Sequence, residues 1–180
     1  VAPKKYFDLY DQEKIVIPEI SVDYLATLPE PAKKSIRAKK NQLDLEKELA
    51  QEIKEAYYAT ISFVDAQVGR ILDQLEANGL DENTVVVFTS DHGYHMGEHG
   101  HWQKQTLFEN STRVPLIISV PNLDKKGEIS DSPVELIDLY PTLMDLTNIN
   151  TPEHVVGKSL KPLISNCLLY TSPSPRDLRK

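Results

Sequence analysis

The sequence predicts an α/β fold: a mainly parallel central sheet flanked by helices. Three observations carry that prediction. The runs TVVVFTS (residues 84–90) and VPLIISVP (residues 114–121) are apolar on consecutive positions, as expected of strands covered on both faces. A long segment with helical periodicity precedes the first run. LYPTLMDLTN (residues 139–148) reads as another helix beyond the second, so helices alternate with buried strands.

Taken in order, residues 1–47 are polar and punctuated by Pro3, Pro18, Pro29 and Pro31, and read as a long excursion over a surface. A helix begins between Asp44 and Gln51 and runs to Asn78. Within it Tyr57, Ile61, Val64, Val68, Ile71, Leu72 and Leu75 recur at three- and four-residue steps and make one apolar stripe. Asn78-Gly79 ends it as a left-handed C-cap. PVELID (residues 133–138) reads as a short strand leading into the last helix.

The totals bound the function. The chain has 180 residues, enough for one domain or a piece of a larger one, and a net charge of −7. That charge argues against nucleic acid or an anionic membrane as the main partner, while a local positive cluster can still receive an anionic substrate. No stretch is long and apolar enough for a transmembrane helix, and the first residues carry no signal-peptide pattern. The single cysteine, Cys167, opens CLLYTSPSPRD, which is how a transposase adapter used in sequencing libraries reads when translated. Residues 166–180 are therefore expected to be a non-native tail, and the start at VAPKKYFDLYD without methionine to be a truncation.

The chemistry gathers in VVVFTSDHGYHMGEHGHWQK (residues 85–104), which holds His92, His95, His99 and His101 out of five histidines. Ligands of open α/β sheets bind outside the carboxyl ends of the strands, where Asp91 and His92 stand. An acid and an imidazole leaving a strand end together can turn toward one ion. Gly93, Gly97 and Gly100 argue against a helix, so His92, His95 and His99 do not form a helical zinc face, and no H-E-x-x-H occurs. Alone, an Asp-His pair is more often a capped turn with solvated side chains; with Trp102 and Lys104 behind it, the pattern favours a site.

TSDHGYHMGEHGHWQKQTLFENSTRVPLIISVP resembles the second metal-binding segment of the type I sulfatases of the alkaline phosphatase superfamily, on the branch of the iduronate-2-sulfatases and their bacterial homologues. KYFDLYD, AYYATISFVDAQVGRILDQLEANGL, VELIDLYPTLMDL and GKSLKPLI agree with it, so the resemblance covers residues 1–164. It implies that residues 1–165 are a partial sulfatase catalytic domain of alkaline-phosphatase-like fold without its N-terminal nucleophile half. It implies that Asp91 and His92 bind one divalent cation, Ca2+ in the family, although an imidazole would also suit a transition metal. It implies that Lys104 touches a sulfate oxygen as a catalytic and substrate-binding group, where metal and ammonium together would stabilise charge on the transferring group.

His99 and His101 are candidates to line the substrate pocket or donate a proton to the leaving alkoxide, beside a purely structural role. Trp102 suits either a sugar ring or a buried position, and Arg113 either a substrate carboxylate or an anchor to nearby acids. The family's nucleophile is a formylglycine made from a C/S-x-P-S-R motif, which does not occur in this chain. The implied substrate is a sulfated carbohydrate or other sulfate ester, and the implied compartment is secreted, periplasmic or lysosomal. The alternatives are a phosphodiesterase or phosphonate hydrolase of the same superfamily, a non-catalytic carbohydrate-binding relative, and a structural zinc module, which lacks the cysteines for a closed site.

Overall fold

The computed structural model describes residues 2–36, 42, 45–123 and 127–165. The expected non-native tail at 166–180 lies outside them. The chain divides into two compact units, Val1–Ile118 and Ser119–Lys180.

The first unit opens with three short helices, α1 (Lys4–Phe7), α2 (Val22–Thr27) and α3 (Glu30–Ser35), where the sequence suggested only an irregular excursion. Aromatic residues between the lysines and acids anchor the start of this segment. Tyr6 meets Phe63 edge-on at 5.4 Å, the rings of Tyr10 and Tyr58 lie 5.5 Å apart, and Tyr10 Oη lies 2.6 Å from Ser62 Oγ. Their partners all belong to α4 (Lys47–Ala77). Further along, Gln51 Nε2 donates to the carbonyl of buried Ile15 at 2.9 Å.

Helix α4 ends as predicted. Gly79 takes φ +64°, Gly79 N–H donates to Glu76 O and Leu80 N–H to Leu75 O, which satisfies carbonyls of the last turn. Its buried face differs from the predicted stripe. Ala50 and Ala59 are the buried apolar residues of α4, and Ala50 packs with Met96 and Trp102. Small side chains there let the neighbouring chain approach closely. Ile61, Val64, Ile71 and Leu72 of the stripe remain exposed.

Strands β1 (Val86–Thr89) and β2 (Leu116–Ser119) pair into a two-stranded sheet, with a short helix α5 (Glu109–Thr112) between them in sequence. Both strands are shorter than their apolar runs. Coverage on both faces is not met among the described residues, since Phe88 is 41% and Ile117 60% exposed.

In the second unit the short strand expected at 133–138 is instead a 3-10 turn, Leu136–Asp138. Glu135 and Asp138 form a reciprocal capping box, with Glu135 N–H donating to Asp138 Oδ2 at 3.0 Å, and this winds the chain directly into α6 (Leu139–Leu146). Asp138 Oδ1 also accepts from Lys158 N–H, and buried Thr142 accepts from Leu160 N–H at 2.8 Å. Helix α7 (Lys161–Ile164) follows. The Ser159 hydroxyl and Lys161 hold Asp145, and these contacts keep its carboxyl below the usual range. No described helix is long and apolar enough to cross a membrane.

Candidate functional site

Asp91 and His92 follow β1 at its carboxyl end, after Ser90 turns the chain. Ser90 Oγ donates to the His92 carbonyl at 2.9 Å, and His92 N–H donates to Asp91 Oδ1 at 3.0 Å. That local turn occupies one carboxylate oxygen and leaves Oδ2 facing the imidazole, 3.3 Å from His92 Nε2. The Asp91 side chain is largely exposed and that of His92 partly so.

The hydrogen bonds fix the His92 tautomer. Its Nδ1 lies 2.9 Å from the Gly93 carbonyl, which can only accept, so Nδ1 carries the hydrogen. Nε2 therefore presents a lone pair, and Lys104 Nζ sits 2.6 Å from it. A backbone oxygen that fixes the ring this way is the usual support of a metal-ligating histidine.

Lys104 reaches His92 because residues 93–104 fold back on themselves. His95 N–H donates to Gln103 O and Gly97 N–H to His101 O, both at 3.0 Å, around a turn at Gly97 and Gly100 with φ +103° and +70°. Gly93 N–H donates to Ser111 O at 2.8 Å, and a Cβ at Gly93 would stand 2.0 Å from the Asn110 carbonyl oxygen. Only glycine allows the segment carrying His92 to lie so close to α5. Trp102 is buried against Gly97, Met96 and Ala50.

Beneath this fold-back lies a cluster that spacing did not distinguish from the rest of the histidine run. His95 is fully buried, with Nε2 2.8 Å from Thr106 Oγ1, and Thr106 donates on to Ser111 Oγ at 3.1 Å. With the Thr106 hydrogen committed to Ser111, His95 Nε2 is the donor. His101 is also fully buried, its ring 5.1 Å from that of His95, and among the described residues neither of its nitrogens has a hydrogen-bond partner. Burial pushes both imidazoles below their ordinary range, and for His101 the neighbouring imidazoles of His95 and His99 add to it. A substrate contact at His101, one of the sequence expectations, meets an enclosed ring with no surface to offer.

His99 stacks on Phe108 at 3.9 Å, and its Nδ1 lies 2.6 Å from the hydroxyl of Tyr24 on α2. It takes φ 57°, the left-handed region a non-glycine residue seldom adopts. Tyr24 had no signal in the sequence. Arg113 takes the anchoring alternative, 3.6 Å from Glu109.

The donor set at β1 thus comprises one carboxylate oxygen, one imidazole lone pair and one ammonium. Among the described residues no group of three or more His, Cys, Asp and Glu side chains converges as a metal site would require. Asp91 Oδ2 and His92 Nε2 are atoms of the kind a divalent cation accepts as ligands, and two of them fall short of a full ligand set.

The Sulfatase family profile matches residues 8–149. A sulfatase of Formosa agariphila is 39% identical over 166 residues, covering 88% of this chain and 32% of that protein. The iduronate 2-sulfatase of Mus musculus is 31% identical over 176 residues, covering 84% of this chain and 29% of its own length. A phosphonate monoester hydrolase from Silicibacter pomeroyi superposes with a TM-score of 0.82 at 30% identity, covering 96% of this chain and 36% of that one. The chain therefore spans about a third of the length of such relatives. Its α/β architecture is part of the alkaline-phosphatase-like fold, and with the profile matching residues 8–149 and the Formosa similarity covering 88% of the chain, the chain belongs to the sulfatase family.

Proposed function

We propose that this chain forms the cation- and sulfate-binding part of a sulfatase that hydrolyses sulfate esters of carbohydrates. The observation that carries the reading is the convergence of Asp91 Oδ2, the His92 Nε2 lone pair and Lys104 Nζ just beyond β1.

Asp91 and His92 would hold one divalent cation, Ca2+ in keeping with the family. Such a cation supplies Lewis-acid neutralisation of the sulfate ester's charge. Lys104 then has a defined task. Its ammonium, on an exposed side chain beside the Asp91–His92 pair, donates to a sulfate oxygen and offsets the charge that grows there as the ester bond breaks. The fold-back of residues 93–104 holds its Cα, so little reorganisation is needed at the moment of reaction. His99, tied to Tyr24 and Phe108, shapes the rim of the histidine loop, and His101 supports that loop from inside. The nucleophile, a formylglycine in this family, comes from outside this sequence, because no C/S-x-P-S-R occurs in it. A sugar sulfate as substrate draws support from the relative named for iduronate.

The superposition on a phosphonate monoester hydrolase favours one second reading, transfer of a phosphonyl group at the same site. The test is a comparison of kcat/KM for 4-nitrophenyl sulfate and a phenyl phosphonate monoester. It uses a polypeptide carrying this segment together with the nucleophile motif. Preference for the sulfate ester supports the proposal, and preference for the phosphonate replaces it.

A further inference from the structure

We infer that Lys104 and the divalent cation compete for one lone pair, so that cation binding drives the lysine off His92 toward the anion. The inference rests on the roles proposed above for Asp91, His92 and Lys104.

An imidazole nitrogen that carries no hydrogen has a single in-plane lone pair. On His92 that atom is Nε2, because Nδ1–H is committed to the Gly93 carbonyl. The Lys104 ammonium, which can only donate, holds the lone pair at 2.6 Å. Asp91 Oδ2 stands 3.3 Å from the same nitrogen, two acceptors that favour a cation beside them. A divalent ion held by Asp91 and His92 would need the electrons that Lys104 engages. The exchange is balanced: one N–H···N hydrogen bond breaks, one coordinate bond forms from Nε2, and the ammonium keeps its proton.

The lysine cannot leave the site altogether. Gln103 O accepts from His95 N–H, and Lys104 O accepts from Thr106 N–H at 2.8 Å, so the backbone on both sides of its Cα is held. A displaced ammonium swings on its flexible stem within reach of an anion next to the ion. Cation and anion are thereby coupled through Lys104. By reciprocity an anion that draws the ammonium away strengthens cation binding to the same degree.

The test is a Mn2+ titration of a polypeptide carrying this segment together with the nucleophile motif, and of its Lys104→Met variant, followed by paramagnetic broadening of the His92 imidazole signals. Methionine keeps the reach and removes the donor. The variant is expected to bind Mn2+ about tenfold more tightly, the worth of one charge-assisted hydrogen bond. Its His92 Nε2 ¹⁵N resonance should also move before any Mn2+ is added, because the hydrogen bond to that atom is gone. Equal affinity in the two chains overturns the competition while leaving the cation site intact. A tighter variant whose ¹⁵N resonance does not move reports long-range charge alone and overturns it as well. If Mn2+ broadens His92 in neither chain, the cation reading of Asp91 and His92 falls, and the competition with it.

Discussion

His95 and Thr106 join two parts of the site loop through a bond buried from solvent: the imidazole Nε2 donates to Thr106 Oγ1 at 2.8 Å, and the hydroxyl donates on to Ser111 Oγ at 3.1 Å. Thr106 is two residues from Lys104, and Ser111 lies on α5 and accepts from Gly93 N–H through its carbonyl. The chain of three side chains fixes where Lys104 begins. Thr106→Val keeps the volume and strands the His95 N–H without a partner. We expect it to lower unfolding free energy by about 1–3 kcal/mol. Urea unfolding would show this as a lower midpoint at unchanged slope, and an unchanged midpoint would remove the structural role given to this bond.

The buried imidazoles of His95 and His101 make stability depend on pH in one direction. Both are held below the ordinary value of 6.5, mainly by burial, and the titratable groups facing them are each other, His99 and Glu98. The unfolded chain takes up protons at these positions more readily than the folded one. The two histidines therefore oppose folding as pH falls below 6.5 toward their lowered values, and do not above it. The urea midpoint should be lower at pH 5.5 than at pH 7.5. His101→Leu should shrink that difference without loss of stability at pH 7.5, since it removes two buried nitrogens that have no partner among the described residues. A variant as sensitive to acid as the parent would contradict this.

Two glycines should respond to alanine with opposite signs. At Gly93 the new Cβ meets the Asn110 carbonyl oxygen at 2.0 Å, so backbone must move, at a cost of roughly 1–3 kcal/mol. At Gly69, inside α4, nothing lies within 4 Å, and alanine should stabilise by about 0.5–1 kcal/mol. Thermal melting of both variants decides it. A stabilising Gly93→Ala would mean the loop does not approach α5 as described.

Much of this was legible in the sequence, and the exceptions have physical causes. The α4 helix, its Gly79 cap, and the placing of Asp91 and His92 after a β-branched run all follow from local periodicity and turn chemistry. The 3-10 turn at Leu136–Asp138 was missed because alternating PVELID looks like a strand, while the Glu135–Asp138 box closes a turn. The exposed Ile61 and Ile71 show that a hydrophobic stripe marks a face to be covered without showing what covers it. The buried bond of His95 to Thr106 and the contact of Tyr24 with His99 gave no signal because tertiary folding brings these partners together, and spacing along the chain does not encode that. Separating buried His101 from Lys104, three residues away and exposed, likewise needed the fold-back of residues 93–104.

The central claim is that Lys104 donates to a sulfate oxygen beside a cation held by Asp91 and His92. It is tested most directly by kcat/KM for 4-nitrophenyl sulfate, with metal content measured in parallel, for Lys104→Ala in a polypeptide that includes the nucleophile motif. Losing one preorganised donor to a developing anion costs about 10² to 10³ in rate, so a fall of that size with metal retained is expected. Lys104→Arg should recover only part of it, because a planar guanidinium does not replace a compact ammonium. Hydrolysis by Lys104→Ala at the parental rate would contradict the account.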